Sequence, residues 1–285
     1  MTLLWIITAL WAVSFSLIGV YISGQVDDTI AVTTRMFLAL LIFLPFWRPA
    51  PWRKSLRMMA TGAVEIGLTY LFLYQSYHYL SVPELLLFTI FTPLYVSLFS
   101  DLLARRWPRQ FWAPALLAVA GAAVIRWTDL SGDYWIGFAF IQAANACFAF
   151  GQVWYRQQSM GNPLPHRARF AWFFLGAFII AGSAMLLTAD WSKLPATPVQ
   201  QGVLLWLGVV TSGLGYLGWS YGSTKVSAQQ LAVMNNMLIP AGILVNVLFW
   251  GGHIEQWPRL LLGCACLAAA LWLCRKRTPA PSRST

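Results

Sequence analysis

Charge is what this sequence of 285 residues has least of. Only 10% of it is Asp, Glu, Lys or Arg, while 59% is hydrophobic, and the mean hydropathy is +0.63. An ordinary soluble domain carries about 25% charged residues. So few charges cannot furnish a water-facing surface, and lipid is the solvent that fits. Acidic residues are the scarcest, 9 against 19 basic ones, for a net charge of +10. The basic residues fall between apolar runs and do not gather into a patch, so no nucleic-acid partner is expected. The four cysteines, Cys147, Cys264, Cys266 and Cys274, all lie in apolar stretches and form no C-x-x-C pair. That pattern speaks against disulfides and zinc. The three histidines, His78, His166 and His253, are far apart. Neither a metal nor any other cofactor is expected.

What is present is a series of long apolar runs. A spanning helix needs about 20 mainly apolar residues. Ten segments come close: 2–21, 29–47, 58–79, 82–103, 110–127, 134–155, 170–189, 202–222, 228–250 and 259–274. The first lacks a basic leader and is longer than the apolar core of a signal peptide, so it reads as a retained helix. The fifth and tenth are short and the eighth is glycine-rich. Ten helices put both termini on one side. That side collects 15 of the 19 Lys and Arg, the other only Arg126, Lys193 and Arg259, and Arg35 is left inside a span. The positive-inside rule then makes both termini cytoplasmic. Of the acids, Asp27, Asp28, Asp129, Asp133, Asp190 and Glu255 fall outside, and Asp101 inside.

A shift of 146 residues aligns Gly67-Leu68-x-Tyr70-Leu71 with Gly213-Leu214-x-Tyr216-Leu217, Ser81 with Ser227, and Leu85 with Leu231. Pro93 and Pro240 correspond after a slip of one. Such a period equals five helices, an odd number, so the two halves would sit inverted in the bilayer. Inverted repeats are a transporter signature. The expected fold is therefore an all-α membrane protein of ten transmembrane helices in an inverted five-plus-five repeat. Residues 1–127 form the first half, 134–274 the second, and 275–285 a basic cytoplasmic tail.

Ionisable groups inside a bilayer are costly and need a reason. Arg35 lies about six residues, or roughly 9 Å, from the outer end of the second span. It is a candidate anchor for a carboxylate or phosphate, against a structural role on helix-end carbonyls. Glu65, about seven residues from the cytoplasmic end of the third span, is a candidate proton carrier for coupling, against a protonated, hydrogen-bonded structural role. Glu84 is a second coupling candidate. It also stands in Ser81-Val82-Pro83-Glu84, the S-x-x-E form of a capping box with proline near the helix start. Buried amides must find partners, in other helices or in a ligand. Gln142 and Asn145 occupy the sixth span, Asn145 near the midplane. Asn235 and Asn236 occupy the ninth, where Pro240 frees the carbonyl of Asn236. Trp11, Phe15, Tyr70, Tyr74, Trp172, Tyr216 and Trp219 lie within spans and would suit a ring-shaped ligand. Lipid-facing or core packing is the commoner fate of such residues. The substrate-binding set is thus Arg35, Tyr70, Tyr74, Asn145, Trp172, Tyr216, Asn235 and Asn236. The embedded ionisable residues are scattered, unlike the Asp, His or Arg clusters of an intramembrane enzyme.

Leu10-Trp11-Ala12-Val13-Ser14-Phe15 resembles the L-W-G-x-x-F opening of EamA-type transporters of the drug/metabolite transporter superfamily. Arg35-Met36-Phe37-Leu38-Ala39-Leu40-Leu41 resembles their second-helix R-F-x-x-A-x-x run, and Pro93 their fourth-helix proline. At the end of the fourth span Ser100-Asp101 stands where the usual pattern has G-E. Pro83 to Thr89, Phe170 to Phe178, and Asn235-Asn236-Met237 through Asn246 are similar in order and spacing to bacterial biotin transporters within that superfamily. The resemblance implies a secondary transporter of the bacterial cytoplasmic membrane, multi-pass, that takes up biotin by alternating access. Separately, a single copy is expected to act. An exporter of amino acids or other small metabolites is the alternative it leaves open. Biotin's carboxylate would suit a cation, its ureido group paired amides, and its fused rings aromatic walls.

Overall fold

A computed structural model describes residues 2–105, 132–160, 162–226 and 228–250, with a few single positions beyond. Seven helices in it are long and apolar enough to cross a membrane: α1 (Thr2–Ile22), α2 (Asp28–Phe46), α3 (Trp52–Ser76), α4 (Val82–Leu103), α5 (Asp133–Ser159), α6 (His166–Thr188) and α7 (Pro198–Ser223). An eighth long helix, α8, runs Ala228–Trp250. They answer to spans one to four and six to nine. The fifth span, 110–127, and most of the tenth, 259–274, lie outside the described residues. Among the described residues there are no strands.

Helix ends follow local chemistry more than hydropathy. Helix α3 starts six residues ahead of the apolar run, so exposed Arg53, Lys54 and Arg57 extend it outward. Thr197 and Gln200 close a capping box at the start of α7 and begin that helix before its apolar run. Asp27 caps α2 by accepting from the N–H groups of Thr29 (2.9 Å) and Ile30 (3.1 Å). Its other oxygen accepts from the Asp190 N–H at 3.0 Å and so ties down the α6–α7 loop. Burial pushes this carboxyl up, but the hydrogen bonds from Thr29, Asp190 and Ile30 prevail and hold it below the usual carboxylate range.

The main packing pairs are α1 with α7 and α8, α2 with α6 and α7, α3 with α5 and α6, and α4 with α5 and α8. Exchanging α1–α4 for α5–α8 in order leaves this set unchanged. Glycines set the closest approaches. A Cβ on Gly62 of α3 would lie 2.0 Å from the Phe173 carbonyl oxygen of α6, and one on Gly176 of α6 would lie 2.0 Å from that of Met59 in α3. Gly208 and Gly213, the 146-shifted counterparts of Gly62 and Gly67, set α7 against α2 less tightly: a Cβ there would first meet the side chains of Leu38 and Ile42, each at 2.8 Å. Both motifs also coincide with π-helical turns, Ala63–Leu68 in α3, which Gly62 immediately precedes, and Leu207–Leu214 in α7.

Candidate functional site

At the centre of the bundle α1, α3, α4, α5, α7 and α8 surround a cavity. Tyr70, Tyr216, Trp11, Trp219, Asn145 and Asn235 give it its character: four aromatic rings and two amides. Its empty space is about 750 Å³, open end included, within the range of small-molecule sites, roughly 300–1,000 Å³. Trp11 is the hub of the rings. Its centroid lies 4.9 Å from that of Trp219, 5.1 Å from Tyr216 and 5.8 Å from Phe148. Tyr70 and Tyr216, the two repeat-related tyrosines, meet edge to face at 6.0 Å.

The π-helical turns explain how this wall is built. A π turn widens the helix and redirects its carbonyls, which is why such turns recur at functional sites. In α7 the widened turn offers the Thr211 carbonyl to the indole N–H of Trp11 at 3.1 Å. It also offers the Ser212 hydroxyl oxygen to Arg35, which donates to it from Nε at 3.3 Å and Nη2 at 3.0 Å.

Arg35 is fully buried. Its Nη1 donates to the Tyr74 hydroxyl at 3.0 Å, and its guanidinium lies 4.0 Å from the centre of the Tyr70 ring. No described carboxylate pairs with it, since the one ion pair among the described residues joins His78 to Asp28. The cation is held by a hydroxyl pair and a π-face. It does not itself line the cavity: Tyr70 stands between, stacked on Arg35 and facing the cavity.

Asn145 secures the α4 side. Helix α4 tightens to a 3₁₀ turn at Thr89–Phe91, next to Pro93, which has no N–H to continue the ladder. Asn145 donates to the Phe88 carbonyl at 2.8 Å and accepts from the Thr92 hydroxyl at 3.3 Å. Across the cavity Asn235 accepts from Gln152 Nε2 at 3.5 Å, while its own N–H groups have no partner among the described residues.

The structure thus joins Tyr70, Asn145, Tyr216 and Asn235 in one cavity and sets Arg35 and Tyr74 directly behind Tyr70. Trp172 stands apart. Its indole donates to the Arg48 carbonyl at 3.1 Å and its ring leans on Trp47 at 4.0 Å. Glu84 is engaged in the capping box, accepting from the Ser81 N–H and hydroxyl at 2.7 Å each. Glu65 lies in the π turn of α3, fully buried, with neither carboxyl oxygen partnered among the described residues. The side chain of Asn236 lies outside those described. Sequence reasoning passed over Ser212, Thr89, Thr92 and Gln152. Isolated hydroxyls in apolar helices carry no pattern, and Gln152 reads as one more amide near a helix end. Among the described residues no three His, Cys, Asp or Glu side chains gather as a metal site.

Residues 1–127 match the EamA-like transporter family. The chain is 48% identical, over 94% of its length and 95% of the relative's, to a Pseudomonas aeruginosa protein named "Probable biotin transporter". It is 45% identical to a Salmonella typhimurium biotin transporter and 44% identical to one from Escherichia coli K12, each over 97% of this chain and 93% of the relative. A solved crystal structure has the same fold, with a TM-score of 0.67 at 17% identity over 95% of this chain and 96% of that one. With apolar helices of this number and near-full-length relatives in Gram-negative bacteria, the chain belongs to the EamA-like transporter family as a multi-pass protein of the inner membrane.

Proposed function

We propose that this protein takes up biotin across the inner membrane by alternating access. The observation that carries the reading is likeness at 44–48% identity, over nearly the whole chain, to proteins named as biotin transporters. The central cavity is consistent with it chemically. The rings of Trp11, Tyr70, Tyr216 and Trp219 suit a fused bicycle, and Asn145 and Asn235 suit a ureido group, which both donates and accepts. The carboxylate is assigned to the Tyr70 side, where Arg35 supplies the buried cation next to the wall. Tyr74 acts by holding that guanidinium in place. Glu65 is the coupling candidate, since a buried carboxyl with no partner among the described residues can carry a proton.

Alternating access draws support from the symmetry of the packing. The main helix contacts survive exchange of the two halves, and the matched motifs share π turns and glycine approaches. Two halves that trade conformations would trade the side on which the cavity opens. Ten spans, inverted halves and cytoplasmic termini belong to the same proposal, as does action by a single copy. Expression in a biotin auxotroph lacking its own transporter tests the function. Growth on trace biotin supports it. Failure to grow despite protein in the membrane, with export of an amino-acid analogue in its place, overturns it.

A further inference from the structure

A second cavity opens beyond the first, at the end of the bundle where α4, α5 and α7 finish and α8 begins. Its walls include Ser100, Gln152, Arg156, Thr224 and Leu231, and its empty space is about 1,170 Å³, open side included. Unlike the central cavity it is poor in aromatic rings. It is also the side on which the sequence concentrates its Lys and Arg.

The two cavities meet at one amide pair. Gln152 lines this vestibule, Asn235 lines the central cavity, and Gln152 Nε2 reaches Asn235 Oδ1 at 3.5 Å. Both side chains are buried, at 2% and 6% exposure. Each also keeps an atom with no partner among the described residues, Gln152 Oε1 and Asn235 Nδ2. A buried amide left half-satisfied is costly. A long, poor hydrogen bond between two such groups is a contact that parts easily and leaves both ends ready for a ligand.

Past that pair stands Arg156. It is half-buried in the vestibule wall and donates from Nη2 to the Val226 carbonyl at a long 3.4 Å. No described carboxylate is within ion-pair reach of it. The vestibule therefore holds a cation with no counter-ion among the described residues, one step beyond a weakly closed polar junction.

We propose that the vestibule is the inner half of the transport path, with Arg156 as a second station for the substrate's anionic group. Gln152 and Asn235 form the hand-off between the two cavities. A carboxylate leaving the Arg35–Tyr70 side then meets a second cation before it reaches water, and the amide pair passes the polar ring end along. The idea rests on the transporter reading and adds a specificity residue outside the primary cavity.

Two measurements on the full-length protein test it. In the first, Ser100→Cys in the vestibule wall is labelled with an anionic and with a cationic methanethiosulfonate reagent, the native cysteines' labelling being subtracted. Adding Arg156→Gln should lower the anionic-to-cationic rate ratio by about tenfold, and Arg156→Lys should keep it within about twofold. An unchanged ratio overturns the anion station, whatever the substrate is. In the second, purified variants in liposomes are given biotin or its neutral methyl ester. Arg156→Gln should slow biotin uptake by about tenfold and the ester by at most about twofold, with equilibrium biotin affinity unchanged. Equal slowing of both compounds, or a matching loss of affinity, overturns the specificity role. Gln152→Leu leaves the Arg156 charge in place but cannot pair with Asn235, and it should slow acid and ester alike; a full-rate Gln152→Leu overturns the hand-off. Uptake of neither compound by the wild type defeats the biotin reading, and the labelling ratio still decides the anion station.

Discussion

Arg35 is a fully buried cation inside a membrane span. Its depth in an apolar run marked it as costly, and the structure shows how that cost is offset: Ser212, Tyr74 and the Tyr70 ring together hold the guanidinium. The sequence contained Tyr70 and Tyr74, but Ser212 is 177 positions away and becomes a partner only through the α2–α7 contact. Two substitutions separate the roles. Arg35→Lys keeps a charge but not the planar fork that Ser212 and Tyr74 grip, so it should insert and bind biotin more weakly. Arg35→Ala removes the cation behind the Tyr70 ring, so it should weaken binding of the acid and leave the protein nearly indifferent between acid and ester. Equal loss of both ligands, or failure to accumulate in the membrane, would make Arg35 structural. Asn145 offers a second check. Asn145→Ala frees the Phe88 carbonyl at the 3₁₀ turn, and thermal unfolding in detergent should show a loss of about 1–3 kcal/mol.

At the scale of elements, the apolar runs located the helices while their ends and irregular turns stayed hidden. A π turn has the same composition as its helix; what creates it is the neighbour that takes the redirected carbonyl, as Trp11 takes that of Thr211. The short glycine approaches were equally illegible, because glycine in an apolar helix reads the same whether it touches another backbone or open space. The structure tells them apart. Gly62→Ala and Gly176→Ala each place a Cβ 2.0 Å from a backbone oxygen and should force α3 from α6, with a loss of more than about 1–3 kcal/mol or no folded protein. Gly202→Ala meets nothing within 4 Å and should leave melting unchanged or slightly raised. Asp27 is a milder case. Asp27→Ala removes a cap and should cost about 1 kcal/mol. Because its folded carboxyl is held low, that contribution is present above the ordinary Asp range and fades as pH falls through the lowered value. A melting series from pH 7 downward in wild type and Asp27→Ala should converge at the acid end.

For the whole molecule, the 146-residue shift was faint as a string of identities and is plainer as geometry. It pairs Tyr70 with Tyr216 across the cavity, matches the π turns, and matches Gly62 and Gly67 with Gly208 and Gly213. Identities in apolar sequence are cheap, whereas positions that must let helices approach closely are constrained, so the repeat is plainest where helix meets helix. The site was legible in its residue types and only partly in its membership. Trp172 and Glu84 have the right chemistry, but a backbone carbonyl of the α2–α3 connection and a helix cap engage them elsewhere. On the proposed reading this chain alone moves biotin through the ring-and-amide cavity. The most direct test is labelled-biotin uptake into liposomes holding only the purified wild-type protein, beside Asn235→Leu. The account predicts saturable uptake by the wild type, competed by unlabelled biotin, and a rate at least about tenfold lower when Asn235 loses its amide, since one buried hydrogen bond is worth roughly that factor. Uptake by the wild type no faster than by empty liposomes, or an Asn235→Leu protein that transports at full rate, would contradict it.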